Sequence, residues 1–552
     1  MSAVAFITIA QSTRYFEKIL GAPANENTNV VFQLSNGSYI TLGGSNTYVS
    51  PAFIKTDAYG NTIIDSAYID TIYYSSWEDA KKLSDSTQIV AGWHRIGNTT
   101  TDENMWLLKM DTAGQILWSS FVGDTTRPTI ADCVSKALDG GYILGGFTDE
   151  LPYKACIIKT DSMGNKLWER LIAGTTWDNA ITSVVILPDS SFAFGAEYNH
   201  SLSTGLVWFL RLDKNGNTIK DTTYSFDSYS SSSHEIGCIA LSHDGEYILA
   251  GDVSTDTNSY TGLLIKLDSN YNTVWHKFIL SAENTSIVSE IDKIIILSDG
   301  SIIGCGFSTG GGLSCCYEDL LIKFDPNGNE IWRRYFKLSS SGYNDYFYNL
   351  DTTSDGGYIM CGRTECNGCS ADPFIKTNCL GFVAAPIASF TDTLGNWSNV
   401  SFYNTSQNTD TCYWNWGDGS PIQMIRLDTS AIIHDYTTSG AHTVTLIAIA
   451  CGEIDSITIQ TPFVTGVSNP NEKENAHVFP NPNSGILTLM CNAEFVSASL
   501  NITDILGNSV YQTKINQIKT TIDLSSLSNG IYFWEVLTDG GIEGKGKVAV
   551  MK

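Results

Sequence analysis

The segment DGGYILGG at 139–146, followed by IIKTDSMGNKLW at 157–168, decides the fold. It contains an Asp-Gly turn, an apolar strand, a second strand ending in a basic residue, another turn and a strand that starts near a tryptophan. Six further copies occur, with 50 to 57 residues between successive basic residues. The turns that open the copies begin at Asn36, Asp85, Asp139, Asp189, Asp244, Asp299 and Asp355. The basic residues are Lys55, Lys109, Lys159, Arg211, Lys266, Lys323 and Lys376.

The second turn of each copy has a fixed chemistry. Aspartate stands two positions after the basic residue, or Asn378 in the last copy, and glycine stands five positions after it except at Tyr271. Because Asp and Asn bond their own backbone and glycine accepts positive φ, this spacing predicts a hairpin. Nine positions after the basic residue stand Trp118, Trp168, Trp275 and Trp332, with Ile64 and Lys220 replacing tryptophan in copies one and four.

Each copy provides about four short strands without sustained helical periodicity, so the repeat predicts an all-β fold with a seven-bladed β-propeller over 13–382. The last copy lacks a tryptophan strand, whereas YFEKIL at 15–20 is similar to LWERLI at 167–172, with Phe16 in place of Trp168. We therefore expect this N-terminal strand to complete the seventh blade and close the propeller. The region resembles secreted bacterial propeller repeats, a resemblance that implies a fold and no particular activity.

The composition is that of a globular, acidic chain. The 552 residues are 42% hydrophobic, 11% aromatic and only 16% charged, which favours folded domains over disorder. The 32 basic residues face 58 acidic residues, for a net charge of -26, so the chain lacks the basic surface that nucleic acid binding requires. No run of about 18 apolar residues occurs, and the sequence therefore predicts no transmembrane segment.

A second module over 384–465 resembles the PKD domain, a small immunoglobulin-like β-sandwich. The resemblance rests on the turn and strand residues Trp414, Trp416, Gly417, Asp418, Gly419, His434, Tyr436, Gly440, Val444 and Leu446. Alternating tryptophans can face the core between two sheets, while Asp418 and its glycines form a tight hairpin. Cys412 and Cys451 lie at the ends of two strands expected to be neighbours, which predicts a disulfide. Unpaired buried thiols are the alternative.

After a linker at 466–474, residues 475–552 resemble the type A C-terminal sorting domain of the type IX secretion system of Bacteroidetes, itself a small β-sandwich. The residues that match its motifs include Pro480, Asn481, Pro482, Gly485, Gly507, Gly530, Tyr532 and Lys552. The resemblance implies recognition by the type IX translocon and its outer-membrane shuttle and sortase. It also implies cleavage of the domain, followed by release or attachment to the cell surface.

The N-terminus and the cysteines are also typical of an exported protein. Residues 1–12 resemble the remnant of a signal peptide, with an N-terminal strand as the alternative. Seven of the 13 cysteines cluster between Cys305 and Cys379, which in an exported protein predicts disulfides. These are Cys305, Cys315, Cys316, Cys361, Cys366, Cys369 and Cys379.

The sequence contains no convincing catalytic or metal-binding motif. It has no H-E-x-x-H, and the G-x-S-x-G at 306–310 lies in a glycine-rich segment without a following helix. We therefore predict no catalytic residue, no metal and no cofactor. Calcium is the alternative at the loops from Asp213 and Asp325, although these recur in every copy as the hairpin turn and lack the distal glutamate.

Propeller geometry predicts where a ligand binds. The short turns share one face, so the long variable connections share the other face, which we expect to carry any function. Aromatic rings with polar neighbours suit sugars or extended peptides. The candidates on this face are Trp77, Trp93, His94, Trp177, Asp178, Tyr198, His200, Tyr260, Tyr343 and Tyr346. The alternative is that most of these aromatics pack between blades.

Together these patterns predict a secreted or cell-surface binding or adhesion protein whose propeller binds a glycan or a protein. Two alternatives stay open: a polysaccharide-degrading enzyme built on the propeller, and a structural component of a surface layer or filament. Two carboxylates about 5 to 10 Å apart in the propeller funnel would favour the enzyme.

Overall fold

The protein is built from β-strands in two compact units, Met1–Ala385 and Pro386–Lys552. The described residues contain 42 strands and no helix, which confirms the all-β prediction. The computed structural model describes residues 14–20, 26–45, 50–68, 74–95, 103–124, 127–148, 153–172, 179–198, 206–225, 234–254, 260–280, 289–309, 316–339, 343–366, 369–394, 399–426, 430–461, 476–491, 498–538 and 541–552.

The first unit consists of seven antiparallel four-stranded sheets, numbered in chain order. After β1 (Phe16–Leu20), sheet 1 contains β2 (Glu26–Gln33), β3 (Tyr39–Ser45), β4 (Pro51–Thr56) and β5 (Thr62–Ala67). Sheet 2 contains β6 (Ser75–Lys82), β7 (Thr87–Arg95), β8 (Glu103–Asp111) and β9 (Ile116–Phe121). Sheet 3 contains β10 (Thr129–Lys136), β11 (Tyr142–Thr148), β12 (Ala155–Thr160) and β13 (Lys166–Ile172).

The remaining sheets repeat this order. Sheet 4 contains β14 (Asn179–Ile186), β15 (Phe192–Tyr198), β16 (Leu206–Leu212) and β17 (Thr218–Tyr224). Sheet 5 contains β18 (His234–Leu241), β19 (Tyr247–Ser254), β20 (Tyr260–Leu267) and β21 (Thr273–Ile279). Sheet 6 contains β22 (Ser289–Ile296), β23 (Ile302–Ser308), β24 (Glu318–Phe324) and β25 (Glu330–Phe336). Sheet 7 contains β26 (Asp345–Thr352), β27 (Tyr358–Cys366), β28 (Cys369–Thr377) and, as its outer strand, β1.

In four of the seven sheets, a tryptophan of the fourth strand packs the sheet against the next one. The Trp118 ring of sheet 2 lies over Gly164, in the second turn of sheet 3, where an added Cβ would come within 2.7 Å of the ring. The same contact joins Trp168 to Gly216, Trp275 to Gly328 and Trp332 to Gly381. The repeated glycine is therefore needed both for its positive φ and for the tryptophan that covers it.

The N-terminal strand joins the last sheet to the first one. As predicted, β1 pairs antiparallel with β28, with Phe16 opposite Lys376. The Phe16 ring covers Gly60 of sheet 1, as each tryptophan covers the glycine of the next sheet. Lys18 Nζ donates to Tyr59 O at 2.7 Å and to Asn61 Oδ1 at 2.8 Å, and Arg170 likewise donates to Gly216 O at 2.6 Å. Sheet 7 thus contacts sheet 1 in the same way as consecutive sheets contact each other.

The second unit contains two successive pairs of sheets, each pair with its own core. The first pair consists of β29 (Phe390–Leu394), β30 (Asn399–Asn404), β31 (Thr411–Asn415), β32 (Gln423–Arg426), β33 (Ile432–Asp435), β34 (Thr443–Ala450) and β35 (Glu453–Gln460). The second pair consists of β36 (Ala476–Phe479), β37 (Ile486–Cys491), β38 (Ala498–Thr503), β39 (Ser509–Ile515), β40 (Lys519–Asp523), β41 (Gly530–Thr538) and β42 (Gly541–Val550).

The cysteine predictions need correction. The predicted Cys412–Cys451 disulfide is wrong, because Cys412 is a free thiol buried in the sandwich core beside Ala448, whereas Cys451 forms a different disulfide in the turn after β34. Two members of the cysteine cluster, Cys305 and Cys361, are also free thiols because their side chains pack in the apolar cores between sheets. Cys379, in the same cluster, is disulfide-bonded. Cys315 lies outside the described residues, as do the side chains of Cys366 and Cys369.

Candidate functional site

A β-bulge occurs at the equivalent position of the first strand in each of the seven sheets. The register between the first and second strands shifts by one residue there, which leaves one residue without a partner on the second strand. Bulges of this kind re-aim side chains and are frequent beside functional sites. The seven bulged residues are Asn29, Glu78, Asp132, Thr182, Gly237, Asp292 and Tyr348.

The bulged residues line one common cavity. Its volume is about 550 Å³, and the first strands of all seven sheets contribute to its wall. This volume is in the range of small-molecule sites. Its lining combines acids, lysines, hydroxyls and two thiols, and the ionisable groups are Glu78, Asp79, Asp132, Cys133, Cys238, Asp292, Lys81, Lys293 and Tyr348. We call this space the central cavity.

Two of the cavity acids have fixed hydrogen-bond partners. Glu78 accepts from Asn29 Nδ2 at 2.9 Å and from Trp93 Nε1 at 3.1 Å, and burial raises the pKa of its carboxyl. Asp79 forms an ion pair with Lys81 at 2.7 Å and accepts the Val134 amide of sheet 3 at 3.0 Å. The Glu78 carboxylate is therefore held in a fixed orientation at the cavity wall, whereas Asp79 connects two sheets.

Asp132 differs from these acids. Among the described residues, its carboxyl has no hydrogen-bond or ion-pair partner. Burial, together with the nearby carboxylates of Glu78 and Glu197, raises the pKa of Asp132 well above its ordinary value. A carboxyl without a partner and with a raised pKa, on the wall of a cavity, is typical of functional sites.

Lys293 is a second charged group without a partner in the described part of the chain. It follows the bulge of sheet 6, at the position where Asp79 and Ser183 accept an amide of the neighbouring sheet. A lysine cannot accept that bond, and Lys293 instead contributes to the wall of the central cavity. Electrostatic interaction with Cys238, together with the Asp79 carboxylate, outweighs the lowering effect of burial and raises the pKa of Lys293.

Replacing Asp132 with asparagine should stabilise the protein at neutral pH. The raised pKa means that ionised Asp132 destabilises the folded state once the pH rises above about 3.9, the ordinary value. We expect Asp132→Asn to increase the free energy of unfolding at pH 7 by about 1–3 kcal/mol, and the gain to disappear near pH 4. Urea denaturation at the two pH values measures this, with the exposed Asp65→Asn as control. A destabilised Asp132→Asn protein at pH 7 would show that the carboxylate has a stabilising partner.

The structure describes five of the ten predicted ligand-face side chains, and these five lie in different surroundings. Trp77 is fully buried between sheets 1 and 2, with its ring 4.8 Å from Tyr68, so its assignment to the ligand face was wrong. It lies on β6, whose alternation directs this side chain between the sheets. His94 stacks on Phe121 with ring centres 5.3 Å apart.

Two of the predicted aromatic residues instead contact side chains that line the central cavity. Trp93 holds Glu78, and Tyr346 stacks on the cavity residue Tyr348 with ring centres 6.3 Å apart. Tyr343 accepts hydrogen bonds from Lys337 and Ser339 through its backbone oxygen. Trp177, Asp178 and His200 lie outside the described residues, as do the side chains of Tyr198 and Tyr260.

The turn aspartates considered for calcium are occupied by the turn itself. Asp213 Oδ1 accepts the amides of Asn215 and Asn217, and its Oδ2 accepts Asn217 Nδ2 at 2.9 Å. Asp325 forms the same three bonds with Asn327 and Asn329. These carboxylates therefore act in the hairpin.

The predicted sorting-signal residues join the two ends of the last module. Asn481 Nδ2 donates to Lys547 O at 2.7 Å, and its Oδ1 accepts the Ala549 amide at 2.8 Å, which fixes the Pro480–Pro482 turn to β42. Gly485 and Gly507 adopt positive φ, and Tyr532, next to Gly530, donates to Ser528 O at 2.9 Å. Lys552 Nζ donates to Ser525 O and Leu527 O. The C-terminal residue is thus part of the folded module.

Comparisons with known proteins identify the last module. Residues 477–550 match the family of secretion system C-terminal sorting domains. This match supports the predicted type IX secretion and implies a secreted or cell-surface protein that interacts with the type IX machinery. The described part of the chain contains no helix that could cross a membrane. No curated protein matches the chain.

Solved structures show only distant similarity. One is a protein of unknown function from Dyadobacter fermentans DSM 18053, with 10% identity, a TM-score of 0.33, and coverage of 60% of this chain and 94% of that one. Another is the extracellular domain of a one component system from B. thetaiotaomicron, with 10% identity, a TM-score of 0.28, and coverage of 97% and 99%. TM-scores this low do not define the fold.

Sequence reasoning missed the central cavity, although a signal for it exists. Each bulged residue stands seven positions before the first residue of the following turn, as Asp132 does before Asp139. Comparison of this one position across the seven copies would have shown that three of them carry an acid there, namely Glu78, Asp132 and Asp292.

Proposed function

We propose that the protein is a non-catalytic binding protein delivered to the cell exterior by type IX secretion. In this proposal the seven sheets are the blades of a closed β-propeller, the PKD-like sandwich is a spacer, and the last module is the sorting signal. The contact of Phe16 with Gly60 supports closure, because it repeats the tryptophan contacts between consecutive sheets. The observation that carries the binding function is the central cavity, which contains an acid and a base, Asp132 and Lys293, that form no ion pair with any described residue.

Binding is tested with the full-length protein on glycan and peptide arrays. We expect a saturable ligand whose binding is weakened by Glu78→Gln, because Glu78 is held in the cavity by Asn29 and Trp93. The exposed Asp65→Asn is the matched control. Absence of any ligand, together with self-association of the protein, would favour the structural surface component instead.

Removal of the sorting domain should stop secretion. We expect a protein lacking residues 475–552 to remain inside the cell envelope, because the sorting module and its C-terminal Lys552 form one folded signal. Immunoblots of medium, cell surface and periplasm measure the distribution. Undiminished appearance of the truncated protein in the medium would contradict the sorting role.

A polysaccharide-degrading enzyme is a second candidate, and one observation favours it. Asp132, whose pKa is raised, lines a cavity that also holds Glu78, and two carboxyl groups in one site are the minimum for glycoside hydrolysis. Release of reducing ends from bacterial polysaccharides by the wild type, but not by Glu78→Gln or Asp132→Asn, would establish this activity.

A further inference from the structure

The central cavity contains an acidic and a basic side chain that form no ion pair with any described residue. Asp132, at the bulge of sheet 3, has no partner for its carboxyl among the described residues, and Lys293, beside the bulge of sheet 6, has none for its ammonium group. The two groups do not neutralise each other, since they form no ion pair. They belong to sheets that are separated by two others along the chain, yet both line the same 550 Å³ space.

These charges restrict the chemistry of a ligand. A simple cation would match Asp132 and Glu78 but would be repelled by Lys293, and a simple anion would match Lys293 but be repelled by the acids. Among the described residues, no three His, Cys, Asp or Glu side chains are placed to hold a metal ion. A neutral molecule would leave both groups without an ion-pair partner, at the cost of their desolvation.

We propose that the central cavity binds a small zwitterion of about dipeptide size, with its ammonium group at Asp132 and Glu78 and its carboxylate at Lys293. This proposal rests on the proposed binding function and names its ligand class. Thr182, Ser183 and Asn349 provide further hydrogen-bonding groups on the wall, and the thiols and Ile294 provide less polar surface. Charge-assisted hydrogen bonds at both ends orient such a ligand and distinguish it from singly charged molecules.

Capped dipeptides test the two ends separately. Titration calorimetry with the full-length protein at neutral pH compares Ala-Ala with its N-acetylated form and with its C-terminal amide. We expect Ala-Ala to bind and either cap to weaken binding by about tenfold or more, because each cap removes one charged partner. Failure of Ala-Ala to bind, or equal binding of all three compounds, would overturn the proposal.

Two variants assign the ends to their residues. In Asp132→Asn, the preference for Ala-Ala over its acetylated form should shrink, because one of the two partners of the ammonium group is lost. In Lys293→Gln, Ala-Ala and its amide should bind about equally, whereas Lys293→Arg keeps the charge and should keep the preference for the free carboxylate. The exposed Lys136→Gln and Asp65→Asn are matched controls. The assignment would be contradicted if Asp132→Asn changed only the preference for the free carboxylate, if Lys293→Gln changed only the preference for the free ammonium group, or if neither variant changed any preference.

The dipeptide experiment can fail while the proposed binding function holds, so the two results can be told apart. A protein that binds an array glycan but no dipeptide remains a binding protein, and only the zwitterion site is then excluded. A protein that binds neither loses both proposals.

Discussion

Replacing Phe16 with alanine is expected to lower the free energy of unfolding of the first unit by about 3–5 kcal/mol. The Phe16 ring is only 8% exposed and lies 5.2 Å from the Phe374 ring and 6.1 Å from the Tyr39 ring. It therefore packs the outer strand of sheet 7 against both its own sheet and sheet 1. Loss of the ring leaves a cavity where the two ends of the repeat region meet.

The same strand provides a matched control. Ile19 is 49% exposed, so Ile19→Ala should change the free energy of unfolding by less than about 1 kcal/mol. Urea denaturation of the full-length protein measures both variants. Deletion of residues 1–20 should have a larger effect, because it exposes the edge of β28 to other chains, and we expect aggregation in light scattering. Equal and small effects of Phe16→Ala and Ile19→Ala would show that β1 is dispensable.

The second large effect is expected at Trp414 in the sandwich. This ring is fully buried and lies 5.0 Å from both Phe390 and Trp416 and 5.6 Å from Phe402. Trp414→Ala should lower the free energy of unfolding of this sandwich by about 3–5 kcal/mol, a large fraction of the stability of a small domain. Met424→Ala, at a position that is 60% exposed in the same sheet, is the control.

Near-ultraviolet circular dichroism and urea denaturation report this change. We expect the Trp414→Ala protein to lose the aromatic signal of the sandwich at lower urea concentration than the Met424→Ala protein. A transition at the wild-type concentration would mean that the stacked rings of Trp414, Trp416 and His434 contribute little to stability.

The strand pattern of the first unit could be predicted from the sequence because the repeat specifies it seven times. The pairing of β1 with β28 followed from a single likeness, that of Phe16 to Trp168, because strand pairing depends on a local pattern that survives in one copy. The sorting module was recognisable for a similar reason, since its motifs are folding residues such as Asn481 and Gly485.

The candidate site could not be predicted in the same way. A one-residue bulge changes the direction of a side chain without changing the hydrophobic pattern, so Glu78 and Asp132 resembled ordinary surface acids of a strand. Trp77 was misplaced because its neighbours in the sequence suggested a loop, whereas β6 turns its side chain between sheets. Cys412 was mispaired because strand proximity does not show which way a side chain points.

The origin of sheet 7 has a consequence for the timing of assembly. Its outer strand is made of residues 16–20 and its other three strands lie between residues 345 and 377. During synthesis from the N-terminus, β1 is made first. It therefore stays unpaired until β28, near the end of the first unit, has also been made. Such long-range pairing is slow, so we expect sheet 7 to be completed late in the folding of the first unit.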